Sequence, residues 1–399
     1  MRIATSMIFD AGVANINKQW SSLLHLQQQV ASGRRILTPS DDPVAAARAL
    51  EVTQSQDILT QYASNQQNAT SALGLAEGQL TSVNDMFARL KELTVQAGNA
   101  TLSASDRQSV AFELRARFGE LLGIANAADG QGQFLFSGYM GDTQPFAGTV
   151  ESGVAYAGDD GQRSLQVSAT RMLEVSDSGK DVFMRIRNGN GDFVTDYAAG
   201  NTGTGVIDGG SVAGNFVPDT YTISFAPSAG GLDYTVTGAV SGVVATGTYR
   251  SGDAITFNGA SLTITGTPAA TDTFSVAPST SQSVFTTLGN LILALESNAT
   301  QPADAAKYSN EIGFALRDLD QANDNILRVR SMIGSRMNEL ESLDSVNQDL
   351  QLQYQQTLSN LQDLDYAKAI SDLTRKQTDL QAAQQSFMKI SQLSLFDYL

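Results

Sequence analysis

The sequence predicts an α+β, multidomain protein: a long antiparallel helical coiled-coil core with an all-β domain inserted in its middle. Three observations carry this. Apolar residues repeat in strict heptads at both ends of the 399-residue chain. Inside those ends, apolar and small residues keep 3- and 4-residue spacings over far more than an ordinary helix length. Most of the 35 glycines fall between 130 and 280, with runs of alternating polarity between them.

The first arm carries Phe9, Val13, Ile16, Trp20, Leu23, Gln27 and Val30, spaced 4, 3, 4, 3, 4, 3. It stops at Ser32-Gly33, before Thr38-Pro39-Ser40-Asp41-Asp42-Pro43. Asp42 is a good N-cap and Pro43 suits the first helical position. The helix that follows carries Ile58, Tyr62, Asn65, Ala69, Ala72, Ala76, Leu80, Val83, Phe87, Leu90, Thr94 and Ala97 on one side and ends at Gly98-Asn99, a rod of about 55 residues against a usual three turns. Ser103 or Ser105 caps a further helix with Val110, Leu114, Phe118, Leu121 and Ala125 on one face.

At Asp129 the character changes. Phe134-Leu135-Phe136 reads as a short apolar strand, and Tyr221–Phe225, Leu232–Val236, Ala254–Phe257 and Ser261–Ile264 alternate at period two. Helix resumes near Ser281 and restarts at Pro302. The seam Leu340, Leu343, Asn347, Leu350, Tyr354, Thr357, Leu361, Leu364 then slips register at Asp365-Tyr366. A second arm follows with Tyr366, Ile370, Leu373, Gln377, Leu380, Phe387 and Ile390. The expected division is residues 1–40 with 364–399 as a terminal coiled-coil arm domain, 41–180 with 281–363 as a helical rod domain, and 181–280 as an outer β domain.

The two arms are expected to pair antiparallel. Such a pair is poorly stable alone, because ordering costs roughly 1.5 kcal/mol per residue and a buried seam side chain returns roughly 1.5–3 kcal/mol. The arms are therefore expected to be loose in the monomer and rigid beside copies of themselves. Their surplus of amides, Gln27 to Gln29, Gln351, Gln353, Gln355, Gln356, Gln377, Gln381, Gln384 and Gln385, fits a packed array of identical chains, where a charge would meet its own copy.

Composition excludes several classes. A net charge of −16 and a pI near 4.4 leave no basic patch for nucleic acid. Without cysteine, and with His25 as the one histidine, there is no disulfide, no Cys/His zinc site and no cysteine nucleophile. No apolar run approaches the roughly 20 residues of a membrane span, and the N-terminus lacks a secretory signal core.

No catalytic, cofactor-binding or metal-ligating residue emerges, and the chain is not read as an enzyme. Asp41, Asp42, Asp363 and Asp365 bring four carboxylates to two joints expected to lie close together. Helix capping and ion pairing with Arg34 or Arg35 explain them better than a metal or an acid–base pair, and the expected pairing is from Arg34 or Arg35 to Asp363 or Asp365. Trp20 and His25 read as seam and flank residues. Asn68-Ala-Thr70, Asn99-Ala-Thr101 and Asn298-Ala-Thr300 match the glycosylation acceptor pattern, a frequent chance match. Asn188 to Asp192 reads as a turn rather than a calcium loop, which would need a Glu at the twelfth position.

Specific stretches add a resemblance. Gly33-Arg34-Arg35-Ile36-Leu37-Thr38-Pro39-Ser40-Asp41-Asp42-Pro43-Val44-Ala45-Ala46 resembles the N-terminal joint of the flagellin superfamily, in the version of its hook–filament junction members. Gln133-Phe134-Leu135-Phe136-Ser137-Gly138 with Thr143 and Pro145-Phe146 is similar to the β-hairpin motif of that branch. Asp363-Leu364-Asp365-Tyr366-Ala367 with Ala369-Ile370-Ser371 is similar to its C-terminal joint, and Ile390 to Leu399 to its tail. The resemblance covers roughly residues 1 to 150 and 330 to 399 and leaves out the β insert.

It implies a flagellin-like core with a small β-hairpin and a structural role in the bacterial flagellum, with neither cofactor nor metal. It implies export, unfolded and without a cleavable signal peptide, through the flagellar type III apparatus, with a chaperone holding the C-terminal region beforehand. It implies assembly with itself in a ring or short helical layer, between the preceding hook-associated protein and flagellin. Phe9, Val13, Ile16, Trp20, Leu23, Val30, Ile370, Leu373, Leu380, Phe387 and Ile390 are the expected assembly residues; Arg34, Arg35, Asp41, Asp42, Pro43, Asp363 and Asp365 are the expected joint. A flagellin-type filament subunit, or a secreted adhesin or enzyme carried on coiled-coil arms, are the alternatives.

Overall fold

The computed structural model describes residues 5–99, 101–297 and 301–392. The chain divides into two compact units, residues 1–64 with 342–399 and residues 65–341.

In the first unit, α1 (Thr5–Ser32) and α7 (Tyr366–Gln392) lie antiparallel. The Phe9 and Phe387 rings meet at 5.0 Å at one end, and the Leu364 N–H donates to the Gly33 carbonyl (2.9 Å) at the other. The same unit holds the start of α2 (Pro43–Ala97) and the end of α6 (Pro302–Gln362), also antiparallel. The buried Asn347 donates its amide to the Leu59 carbonyl (3.1 Å), so the polar interruption of the heptad is satisfied by backbone. Leu343, Leu350, Tyr354, Thr357, Leu361 and Leu364 are all at least partly covered, as a continuous seam requires. Ile58 departs from the expected stripe and is largely exposed.

The second unit begins with the remainder of α2, where Ala69, Leu73, Leu80, Val83, Phe87, Leu90 and Ala97 are buried, as are Leu319, Ile326 and Ile333 of α6. Glu77 and Arg330 pair across these helices (2.7 Å). α3 (Ala104–Ala125) opens with Ser103 and Asp106 in reciprocal side-chain-to-backbone bonds. Two hairpins follow, β1 (Phe146–Thr149) with β2 (Gly153–Tyr156) and β3 (Ser164–Ser168) with β4 (Arg171–Glu174). A single turn, α4 (Gly179–Phe183), leads to β5 (Ile186–Arg187).

The insert is built from β6 (Phe193–Tyr197), β7 (Val206–Ile207), β8 (Ser211–Val212), β9 (Tyr221–Ser228), β10 (Gly231–Gly238), β11 (Gly242–Thr248), β12 (Ala254–Phe257), β13 (Ala260–Thr265) and β14 (Thr273–Pro278). One antiparallel sheet runs β11-β10-β9-β14-β6; a second runs β12-β13-β7, with β8 also on β13. Their alternate residues enclose a core of Phe193, Tyr221, Ile223, Val236, Phe257, Ile264 and Phe274. β15 (Ser281–Gln282) pairs with β5, and α5 (Val284–Glu296) follows with Val284, Phe285, Leu288, Leu291, Ile292 and Leu295 buried.

One expected strand is corrected. Phe134-Leu135-Phe136 forms only an isolated bridge, Phe134 to Ala128, inside a series of turns. The Ser137 hydroxyl bonds back to the Phe134 carbonyl, and Gly138 turns the chain at φ +73°. A Cβ there would strike Asp159, whose carboxylate accepts the Tyr139 N–H. The apolar run is apolar because Leu135 and Phe136 are buried; Phe136 packs on Phe183 at 5.4 Å.

Candidate assembly surface and its joint

The joint lies within the first unit. Gly33 ends α1 at φ +71°, the left-handed conformation that closes helices. The turn brings Arg34 alongside Asp363 as an antiparallel backbone bridge. Around it, the Arg35 N–H donates to the Gln362 carbonyl (2.7 Å) and Leu364 to Gly33. The junction of α6 and α7 is thus tied to the end of α1 through main chain.

The side chains differ from the expected pairing. Arg35 reaches Asp42 (3.2 Å) and the Leu361 carbonyl (2.7 Å), not Asp363 or Asp365. Asp363 accepts from the Ser359 hydroxyl, and Asp365 accepts the Lys368 N–H as the N-cap of α7. Among the described residues no ion pair links Arg34 to either. The reason is geometric: the bridge fixes the backbones first, and Arg35 then lies nearer the carboxylate seven residues along its own chain.

Asp41 and Asp42 organise the other side. One Asp41 oxygen accepts the Leu37 and Thr38 N–H groups (3.0 and 2.9 Å), and the other lies 3.6 Å from His25 Nε2. Asp42 accepts the Ala45 N–H (3.0 Å), with Pro43 first in α2. The Thr38 N–H above all holds the Asp41 carboxyl below the ordinary carboxylate range; the Ala45 N–H, then Arg35, does the same for Asp42. Among the described residues no three His, Asp or Glu side chains are grouped to hold a metal.

The arm residues divide into two sets. Leu23 and Leu380 are buried between α1 and α7, and Ile16, Val30, Leu373 and Phe387 are half-buried. Phe9 (52 % exposed), Trp20 (51 %), Ile370 (51 %) and Val13 stand open to solvent. Ile390 falls in α7, but its side chain and residues 393–399 lie outside the described residues. Met7, Leu24 and Met388 are exposed as well and were not expected in the set. The adjacent pair Leu23-Leu24 was the available signal, since neighbours on a helix point about 100° apart and cannot share one seam. Gln27, Gln28, Gln377, Gln381, Gln384 and Gln385 are exposed. The arms thus show solvent a surface of large apolar groups and amides, with charge sparse on α1 (Asp10 and Lys18) but also present on α7 at Lys368, Arg375, Asp379 and Lys389.

No described helix is long and apolar enough to cross a membrane. Residues 3–140 match the bacterial flagellin N-terminal helical region, and residues 316–399 the bacterial flagellin C-terminal helical region. The chain is 27 % identical to flagellar hook-associated protein 3 of Escherichia coli (strain K12) over 397 residues, 99 % of each chain, and 26 % identical to that of Salmonella typhimurium over the same span. In structure it resembles flagellar hook-associated protein 3 of Legionella pneumophila (TM-score 0.75, 36 % identity, 78 % of this chain and 98 % of that one). It also resembles FlgL of Xanthomonas campestris (TM-score 0.72, 30 % identity, 77 % and 99 %). Escherichia coli (strain K12) flagellin, by contrast, matches at 37 % over 120 residues, 30 % of this chain. A chain similar to hook-associated protein 3 from end to end, and to flagellin only in part, belongs to the flagellar hook-associated protein 3 (FlgL) family of the flagellins, structural proteins of the hook–filament junction.

Proposed function

We propose that the junction is made by the paired arms, which pack beside the arms of sister chains in a ring or short helical layer. One side of that layer meets the preceding hook-associated protein and the other meets flagellin. The observation that carries this is the solvent-exposed set Phe9, Val13, Trp20, Leu24 and Ile370 on a two-helix pair whose fully buried residues, among those described, are Leu23, Ala369 and Leu380. Large contiguous apolar surface marks an interaction site, and each such side chain covered by a neighbour contributes roughly 1.5–3 kcal/mol. Exposed amides allow identical chains to approach without like-charge repulsion. Residues 1–40 with 364–399 would act as the arm domain, 41–180 with 281–363 as the rod that stiffens it, and 181–280 as an outer β insert. Arg34, Arg35, Asp41, Asp42, Pro43, Asp363 and Asp365 would set the arm's direction.

An arm pair stabilised mainly by the assembly also suits export as an unfolded chain through the flagellar type III apparatus, without a cleavable signal and with a chaperone on the C-terminal region beforehand. Electron microscopy of cells lacking the chain tests the reading. Hooks without filaments, with flagellin shed into the medium, are expected. Normal filaments would refute it, as would normal attachment after removal of both arms.

A further inference from the structure

We propose that the β insert is seated on α6 by a pH-responsive mount centred on Glu311, tighter when that carboxyl is protonated than when it is charged. Within the second unit, α6 meets the insert through a polar row set around Phe314, which packs on the insert's core and stacks on the Tyr197 ring (6.2 Å). Lys307 donates to the Ala199 carbonyl (2.7 Å). The buried Asn310 accepts the Ile207 N–H (2.8 Å) and donates to the Gly205 carbonyl (3.3 Å). Arg317 donates to the Thr195 hydroxyl (2.9 Å) and lies over the Phe314 ring (4.9 Å). Asp318 accepts the Gly189 N–H (3.0 Å) and the Gln282 amide (3.1 Å).

Glu311 sits in the middle of this row and is the poorly compensated member. Its one hydrogen bond comes from a neutral donor, the Tyr197 hydroxyl (2.8 Å). Among the described residues no cation lies within ion-pair distance of it. The nearby guanidinium, Arg317, is engaged with Asp318 (3.4 Å), and the Lys307 ammonium is on a carbonyl. Other charges facing the site are Asp196 on β6 and Asp304 at the start of α6, both acidic, with Asp208 after β7 acting on Arg317. α5 brings no charge to it: its contributions are Thr287, Asn290, Leu291, Leu293 and Ala294. Glu311 lines two open clefts, of about 530 and 270 Å³.

Burial, with Asp196 and Asp318 adding to it, pushes the Glu311 carboxyl above its ordinary 4.5. A carboxyl raised on folding stabilises the fold fully below its unfolded value, and the gain is lost as pH rises through the folded value. The seat is therefore firmest below the ordinary 4.5 and loosens as pH rises through the raised folded value.

Hydrogen exchange of the full-length protein, corrected for intrinsic rates, tests this on β6 and residues 305–318. In the wild type, opening should become rarer as pH falls from 8 through the raised folded value to below the ordinary 4.5, by up to about tenfold for each unit by which the folded value exceeds the unfolded one. Glu311→Gln, which keeps the acceptor and removes the charge, should be as protected at pH 8 as the wild type is below pH 4.5, with the slope lost. Tyr197→Phe removes the stabilising donor and should move the transition to higher pH. A Glu311→Gln protein with the wild-type slope, or a Tyr197→Phe protein with an unmoved transition, overturns the proposal.

Discussion

Trp20→Ala separates the two roles an arm residue can have. Trp20 is 51 % exposed in the isolated chain, so about half of its surface is already covered within the chain. A tryptophan buries about 200 Å² when fully covered. The open half is then about 100 Å², worth about 2.5 kcal/mol at 25 cal/mol per Å² if a sister chain covers it. Truncation should cost the monomer about 1–2 kcal/mol, at the low end because α1 can relax around a half-exposed site. The assembly should lose the further 2.5 kcal/mol for every subunit, which compounds around a ring. Urea unfolding of the monomer by circular dichroism gives the first quantity. Filament retention in cells, and ordered arrays formed at high protein concentration, give the second. The expected pattern is a folded monomer with lost attachment. A monomer destabilised by more than 3 kcal/mol with attachment intact would refute the reasoning, because it would place Trp20 in the chain's own core.

Other outcomes follow from the same geometry. Arg336 is nearly buried and holds both oxygens of the buried Asp177 (3.1 and 3.0 Å); Arg336→Met should cost roughly 3–5 kcal/mol in urea unfolding, since it strands a buried carboxylate. Gly33→Ala forces a Cβ into the left-handed region, 2.8 Å from the Tyr366 hydroxyl; it should cost about 1–2 kcal/mol and lower hydrogen-exchange protection of Arg35 and Leu364, and an unchanged rate at those amides would count against the joint as described. Asp41 and Asp42 have folded values held below the ordinary 3.8, so their contribution is present at neutral pH and is lost as pH falls below 3.8 through the lowered values. Protection of the Thr38 and Ala45 amides should therefore drop in that acid window in the wild type, and Asp42→Asn should flatten the drop at Ala45.

The helical framework was legible because its signals are local. Asp42-Pro43 and Gly98 mark the two ends of α2, and the register slip at Asp365-Tyr366 is where α6 ends and α7 begins. β9, β10, β12 and β13 showed through their alternation. The two hairpins before Glu174 did not, for they are four- and five-residue strands whose docking depends on distant groups. The Asn65 and Gln66 amides reach the Gln166 and Val167 carbonyls of β3 from a hundred residues away. β14 sits between β9 and β6, a placement that no short-range pattern specifies. At the joint, the sequence showed which charges were present but not which would meet. A reading of opposite charges sees only side chains, and here the decisive contact is between peptide groups. Exposure of the arm seam was invisible for a related reason: a heptad marks a surface that wants a partner without saying whether the partner is in the same chain.

The Arg34–Asp363 bridge carries one more implication. A clasp closed through peptide groups is indifferent to the side chains hung on it. Positions 34 and 363 can therefore be recoloured in descendants, acidic for basic or polar for charged, without the hinge losing its angle. The constraint falls instead on Gly33, where the left-handed turn penalises any side chain, so lineages should drift in charge at 34 and 363 while holding that one silent residue fixed.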